Sequence, residues 1–526
     1  MLYGYRQLPE FKIVNLEIIM VIHARKVLKD YGINEFLLSL YISFILSTVY
    51  CLEICNYLST RLFILSLIIV WVFIFLIISF LSPYILSVGN HLSVNKVMLK
   101  TWSVGKGKWF ILSFFASVFL LLPSYVIYYP GWFSADSLSQ LSQASSGYYS
   151  DWHPVLQTLI AFTLPLKLTH GWTGSVILFQ IVEYSFVLAY LSTSFYKHGC
   201  PKYAIISLLF ILLNPFTVSI IKQPWKDVTF AIFGLLLITC VMNAYYDKDW
   251  INKPIHQILL ITVFCVATIV RHNAILFTLP LAIEILLLSG KKQKTIFLLG
   301  SAALFLFIKY PFYSFLNVSR AGSRNIELLG VPMNIIANVV KNDPASLNDE
   351  ILSFAYSLAS PQEWNEYYYT GDFNILKFTD FFNPNPINLI PASQIIKYAI
   401  ICLISSPKYA LQGLLALTSM VYAISGPITW TPEFFPNAAY FLVSNSIIKY
   451  FCLYIGLPTL VVIILTLSKC RLSKLSDWKP ILFCISLLTH NWGTMLLLTG
   501  PDFRFFYLTF PISTVIVFVM LNQATE

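Results

Sequence analysis

Apolar positions in this chain do not alternate with polar ones. They run on for the length of a membrane-crossing helix and stop at short clusters of Lys, Arg, Gly, Asn or Pro. A period of two would mark half-buried strands, and a strict i, i+3, i+4 rhythm would mark helices with one wet face. Segments apolar all round belong where no face meets water. The runs near the roughly 17–25 residues a spanning helix needs are 37–56, 62–88, 110–129, 173–196, 203–221, 228–245, 255–271, 273–289, 295–315, 448–468, 480–499 and 505–522. Segments 389–405 and 408–427 either both span or both lie along the interface. The pattern predicts an all-α integral membrane protein, a polytopic bundle of about 12–14 transmembrane helices.

Composition agrees. Of 526 residues, 57% are hydrophobic and 11% charged, against about 25% charged in soluble domains. The formal charge of +10 would suit nucleic acid, but the cations flank the apolar runs instead of lining a groove, which argues against a nucleic-acid partner. "RKVLKD", "KTWSVGKGK", "YKHGCPK", "DKDWINK", "GKKQK" and "KCRLSKLSDWK" can all be cytoplasmic, provided that 153–168, short and broken by a proline and a glutamine, lies beside the membrane and does not cross it. Four polar pieces then share the extracytoplasmic face: Tyr128–Thr169, Lys222–Asp227, Arg271–Asn273 and Gly500–Arg504. The expected organisation is a cytoplasmic, amphipathic N-terminal segment over 1–36, with no cleavable signal. A membrane core follows over 37–315, carrying the outer loop 130–170. An extracytoplasmic subdomain covers 316–389, and C-terminal spans cover 390–526. The nine cysteines fall in or beside apolar runs without metal-ligand spacing and read as buried hydrophobes.

One polar stretch stands out, "YYPGWFSADSLSQLSQASSGYYSDWHP", Tyr128–Pro154. Ser134 is placed to cap a helix over Ala135–Ala144. Asp136, Gln140 and Gln143 then share one face. A carboxylate beside two amides suits a sugar acceptor: the amides grip hydroxyls and the carboxylate takes the proton of the attacking one. The plainer alternative is that Asp136 only favours the start of a surface helix. Asp151, Trp152 and His153 follow, with His153 either a ligand, a base or a group that orients a neighbour. Trp132, Trp152 and Trp172 form an interfacial belt that can also stack on sugar rings.

"KQPWKD" places Lys222, Lys226 and Asp227 on the face where the positive-inside tendency would not put cations. A phosphate ligand explains them, and so does a Lys–Asp pair at a helix start. In "RHNA", Arg271 at membrane depth needs an anionic partner, among which Asp136, Asp227 and a lipid phosphate are open, and Asn273 caps the next helix. "GPDFRF" adds Asp502 and Arg504, and the large loop adds Arg320 and Arg324. Glu183, Glu284, Lys309 and His490 lie within apolar runs, where a proton or ion path is one reading; Glu183 and Glu284, with no basic residue near in sequence, read as buried hydrogen-bonded acids or loop-proximal groups. No Walker A sequence or Gly-rich dinucleotide turn is present, so an activated sugar would have to arrive on a lipid.

"YYPGWFSADSLSQLSQASSGYYSDWHP", "KQPWKD", "RHNA" and "LLGVPMNIIANVV", taken together, resemble bacterial polytopic proteins of the C-type (GT-C) glycosyltransferase superfamily, and are similar to serotype-converting glycosyltransferases that modify O-antigen in lipopolysaccharide. The likeness runs over about residues 130–345, with "GPDFRF" a looser echo. It implies a GT-C-like bundle with juxtamembrane helices in the bacterial inner membrane. It implies an active site facing the periplasm, a polyprenyl-phosphate hexose donor, a cell-surface or lipid-linked glycan acceptor, and inversion at the anomeric carbon. A flippase and a donor-synthesising enzyme would be its working partners. The catalytic acid implied is Asp136, and Arg271, Lys226 and Arg504 would hold the phosphate. Relatives often carry paired acids where this chain has Asp136 between Ala135 and Ser137, so a divalent metal (Mg2+ or Mn2+) is left open. The competing readings are a flippase or transporter of a lipid-linked saccharide and an O-antigen polymerase or ligase. The transferase reading requires the Asp136 carboxylate and the Arg271 guanidinium to meet at one end of the bundle.

Overall fold

The computed structural model describes residues 31–92, 104–320, 325–424, 454–472, 474 and 477–522. Most of the N-terminal segment, Arg324 and residues 448–453 therefore lie outside the described residues. What is described is helical, without a named strand. The longer helices are α1 Ile33–Ile54, α2 Thr60–His91, α3 Lys106–Ile127, α4 Ala135–Ser146, α5 Val155–Leu168, α6 Ser175–Lys197, α7 Pro201–Leu212, α8 Lys226–Tyr246, α9 Pro254–Ile269, α10 Ile275–Leu288 and α11 Lys291–Phe315. They continue with α12 Gly330–Asn342, α13 Ala392–Ser405, α14 Pro407–Tyr422, α15 Gly456–Lys469, α16 Trp478–Met495 and α17 Thr509–Leu521.

The chain is an all-α membrane protein. Seven described helices are long and apolar enough to cross a bilayer: α1, α2, α3, α6, α8, α11 and the segment Phe503–Leu521 that contains α17. The other expected spans form shorter helices, α7, α9, α10, α13 and α15, or, in α16, a less apolar one broken by Lys479, His490 and Asn491. The expected run 203–221 is split after Leu212, where Asn214 caps a second short helix, Pro215–Ile220. Asn and Pro together favour that break.

Burial sorts the helices. In α8, 83% of the spanning window is buried, whereas in α2 only 11% is. A helix as apolar as α2 with its surface uncovered is stable only against lipid. The main core gathers α3, α6, α8, α9, α10, α16 and α17 around Phe195, Leu235, Phe277 and Ile516. The helices α5 and α11 each contain a π turn, Leu159–Thr163 and Ile308–Phe312, next to Pro165 and at Pro311, the residue type that interrupts the i to i−4 ladder.

A second core lies around Met333, Ile336, Trp364, Tyr368 and Phe373 of the long connecting segment. It takes in Ile395 and Cys402 of α13 and Ala410 of α14. α13 thus packs on the subdomain expected over 316–389, while α14 reaches the main core through Leu417 and Val421.

Contacts between the subdomain and the last turn before α17 fix one end of the molecule. Gly330 starts α12 so close to the Leu498 carbonyl that a β-carbon would collide with it. Asn334 Nδ2 donates to the Thr499 carbonyl at 2.9 Å, and the Phe373 N–H donates to the same oxygen at 3.0 Å. Lys377 binds Glu327 at 3.0 Å and the Thr499 hydroxyl at 3.2 Å. The turn that carries Asp502 and Arg504 is clamped by side chains far away in sequence.

Candidate functional site

The helix α4 starts where the capping residues place it. The Ser134 hydroxyl accepts from Ser137 N–H, and Gly147 ends the helix with φ 77°, in the left-handed region that Gly enters without strain. Asp136 sits in the first turn, with its side chain 41% exposed. A residue that sequence reasoning gave no role locks this start in place. Trp225 donates its indole N–H to Ser134 Oγ at 3.0 Å, and the Arg504 guanidinium lies 5.0 Å from the centre of the Trp225 ring. Its only signal was a tryptophan set between charges in "KQPWKD".

Around Asp136 the distant polar pieces converge. Arg504 Nη1 is 3.7 Å from Asp136 Oδ2, and His153 Nε2 is 4.0 Å from Asp136 Oδ1. Arg504 Nε lies 2.8 Å from Asp502 Oδ2 and 3.9 Å from Asp227 Oδ2. Arg271 Nε is 3.1 Å from Asp227 Oδ1, and its Nη1 donates to the Phe505 carbonyl at 3.1 Å. Lys226 completes a narrow cleft with Asp136, Gln140, His153, Trp225, Asp227 and Arg504. Asp136 and Arg271 thus belong to one cluster, joined through Arg504 and Asp227.

The cluster is layered. Arg271 and Asp227 form its floor, with side chains 5% and 1% exposed. A pair so deep is stable only while both charges are present. Arg504, with its side chain 22% exposed, is the middle layer, shared among three carboxylates, and Asp136, 41% exposed, is nearest the opening. Neither Asp227 oxygen nor Arg504 Nε has an aligned hydrogen-bond partner among the described residues. The charges are matched, but their hydrogen-bonding capacity is not filled, which is how a site kept for a polar ligand differs from a finished structural network.

His153 is buried, and its Nδ1 has no hydrogen bond among the described residues. Burial, with Lys226, Arg504 and His272 nearby, lowers its pKa to about 4 despite the pull of Asp136. It is neutral at physiological pH and sits beside Asp136 as an imidazole, not as a counter-ion.

Other expected site residues have structural work elsewhere. Gln140 does lie on the Asp136 face, but its Nε2 donates to Thr158 Oγ1 at 3.0 Å and to Gln157 Oε1. Gln143 Oε1 accepts from Ser150 N–H at 2.9 Å. Both amides pin the loop and α5 to α4 instead of reaching into open space. Lys222 does not face the acids. It is fully buried, with Nζ 3.2 Å from the centre of the Tyr128 ring and 5.2 Å from that of Trp132, and burial lowers its pKa to about 8. It is held by aromatic faces and anchors the start of the loop. Asp151 lies 4.0 Å from Lys309 of α11, and its N–H donates to the Ser319 carbonyl at 3.0 Å. Trp152 is partly exposed and its carbonyl meets His272 at 3.4 Å. Asn273 does not cap the next helix, which starts after Ala274 without a side-chain cap; its amide donates instead to Thr494 at 3.1 Å. Arg320 is exposed beyond that loop contact.

Support beneath the site includes a buried hydroxyl chain with no sequence signal. Tyr507 OH lies 2.7 Å from Tyr184 OH and 2.8 Å from Thr217 Oγ1. Among the described residues no three His, Cys, Asp or Glu side chains are gathered to hold a metal. The carboxylates of the cluster face arginines instead, a donor set that fits an anion-handling site better than a cation site. Comparison with models of protein families, with curated proteins and with solved structures found no match.

Proposed function

We propose that the chain is a membrane glycosyltransferase of GT-C-like architecture. It moves a sugar, a hexose, from a polyprenyl-phosphate donor to a glycan acceptor on the extracytoplasmic face of a bacterial inner membrane. The observation that carries this reading is the half-exposed Asp136 carboxylate held 3.7 Å from Arg504 in a cluster where Lys226 and Arg504 face the same cleft.

The chemistry balances on these groups. The acceptor hydroxyl oxygen attacks the anomeric carbon and its proton passes to Asp136. The bond from the anomeric carbon to the phosphate oxygen breaks, and the electron pair leaves with the phosphate. Arg504 and Lys226 neutralise the charge that develops there. A single displacement inverts the anomeric configuration. The contact of Arg504 with Asp136 gives this sequence an order. An incoming lipid phosphate competes for Arg504 and frees Asp136 to accept a proton only when donor is bound. Arg271 acts behind Asp227 and keeps the floor charged.

The test is transfer of radiolabelled sugar from a synthetic polyprenyl-phosphate donor by purified protein in detergent. The Asp136→Asn variant is expected to fold normally and lose transfer. Full activity in it removes Asp136 from the mechanism. Movement of lipid-linked sugar across a bilayer without transfer would make the chain a flippase, and joining of preformed glycan blocks would make it a polymerase or ligase.

A further inference from the structure

The end of the bundle remote from the acid–arginine cluster carries a cleft that this transfer reading does not use. α17 begins just after Arg504, and after about 20 Å of helix rise its Met520 touches Cys470 at the end of α15. There α1, α2, α15 and α16 part around an apolar cavity of about 670 Å³, within the roughly 300–1,000 Å³ of small-molecule sites. Leu37, Tyr41, Phe44, Trp71, Leu488 and Trp492 line its interior. Beside it lies a more polar recess of about 390 Å³ bordered by Asn34, Glu35, Asn90, Ser468 and Arg471, and Leu467 and Leu472 border both. A polar recess adjoining an apolar cleft between apolar helices has the shape of an amphiphile's site.

The rim says which amphiphile. Arg471 and Glu35 line the recess, and Lys469 and Asp477 reach residues of its wall, Asn90 and Arg471. The two acids have backbone partners. Glu35 Oε2 accepts from Gly32 N–H at 2.8 Å, and Asp477 Oδ2 accepts from Arg471 N–H at 2.7 Å. Lys469 Nζ donates to the Asn90 carbonyl at 2.6 Å. The Arg471 side chain is exposed, and among the described residues no carboxylate pairs with its guanidinium. Asn34 spends its amide hydrogens on the Leu467 and Cys470 carbonyls, both at 2.8 Å, and its buried Oδ1 has no donor among the described residues. The recess therefore offers a cation for a phosphate and an acceptor for a hydroxyl, above a slot for an acyl chain.

We infer that this cleft binds one anionic glycerophospholipid with a hydroxylated headgroup from the adjoining leaflet. Its phosphate sits on Arg471, its headgroup hydroxyl on Asn34, and an acyl chain between Trp71 and Trp492. The inference does not rest on the transfer reading, and its test reads no sugar chemistry.

Full-length protein is purified from nanodiscs containing labelled dioleoyl phosphatidylglycerol, dioleoyl phosphatidic acid or dioleoyl phosphatidylcholine, and lipid retained per protein is counted after washing in detergent. Phosphatidylglycerol is expected to stay at about one molecule per protein and to outcompete phosphatidylcholine by about fivefold or more, the worth of one arginine at an anionic surface. Arg471→Glu on the exposed rim should abolish that preference. Leu488→Trp, which fills the cleft, should remove the retained lipid, and Arg471→Glu still tests the proposal should that variant fail to fold. Equal retention of all three lipids, or retention unchanged in Arg471→Glu, overturns it. So does displacement of phosphatidylglycerol by polyprenyl phosphate, which would make the cleft part of the donor's path. Absence of any retained lipid, as when another segment of the chain fills the cleft, also overturns it.

Discussion

Replacing Asp227 by Asn is the sharpest test of the cluster's architecture. Asp227 is buried between two guanidiniums, 3.1 Å from Arg271 Nε and 3.9 Å from Arg504 Nε. At an effective dielectric constant near 20, those separations correspond to about 5 and about 4 kcal/mol of attraction. Asparagine removes both and relieves only the desolvation of one carboxylate. Arg504 still has Asp502 at 2.8 Å, but Arg271 is left, among the described residues, with the Phe505 carbonyl at 3.1 Å and the rings of Phe230 and Phe505, and no paired carboxylate. The net destabilisation expected is about 3–5 kcal/mol, that of breaking a buried pair from one side. Arg271→Met is milder, because Asp227 keeps Arg504. In the double variant Asp227→Asn with Arg271→Met neither member of the floor pair is left charged. It should be more stable than the Asp227→Asn single variant, with a coupling of about 2 kcal/mol or more. The assay is reversible unfolding of the four proteins in mixed micelles, closed as a double-mutant cycle. Effects that add to within about 0.5 kcal/mol would refute a direct buried pair and with it the layered reading of the site.

Three further outcomes follow. Asp136→Asn should leave stability within about 0.5 kcal/mol, since the carboxylate is half exposed, while radiolabelled transfer disappears. His153, with its pKa lowered to about 4 from 6.5, contributes stability present above pH 6.5 that is lost as pH falls through 4. The loss is on the order of 3 kcal/mol, and unfolding measured against pH should lose that step in His153→Gln. Gly330→Ala drives a methyl group into the Leu498 carbonyl. It should loosen the subdomain from the Gly500–Arg504 turn, raise proteolysis between Asn342 and Ala392, and lower transfer although residue 330 touches no substrate.

Much of this was legible in the sequence because membranes simplify the reading. Apolar run length located α1, α2, α3, α6, α8 and α11, and capping chemistry placed α4 to within two residues of its end. Misplaced cations in "KQPWKD", "RHNA" and "GPDFRF" pointed to a shared end, since a charge beside lipid requires a partner. What was not legible was which partner each charge takes. Lys222 and Lys226 are four residues apart and look alike in sequence, yet one faces Tyr128 and the other the acids. Local backbone geometry at Pro224 and Trp225 decides that, and no composition rule reports it. Gln140 lines the Asp136 cleft, but the hydrogen-bonding capacity of Gln140 and Gln143 is taken by Gln157, Thr158 and the Ser150 N–H, contacts that exist only after α5 folds back on α4. Trp225, Tyr184 and Tyr507 act through tertiary contacts alone.

The charge balance of the cluster constrains how it can work. Arg271, Arg504 and Lys226 face Asp136, Asp227 and Asp502, so the site is neutral with His153 uncharged. A cationic pocket awaiting an anion would have repelled itself and would be costly to bury. A neutral one is stable empty, and a phosphate entering it must take a guanidinium from an existing carboxylate. The contact most readily given up is the one at the surface, 3.7 Å long, between Arg504 and Asp136, because Asp227 and Asp502 are held from below and from the side. The carboxylate released is the one that faces the opening, where an acceptor hydroxyl would arrive. Electroneutrality thus couples anion binding to the appearance of a free base. Inorganic phosphate or polyprenyl phosphate should raise carbodiimide labelling at Asp136, 41% exposed, and leave the buried Asp227 unlabelled, and labelling of Asp136 that falls on phosphate binding would break the coupling.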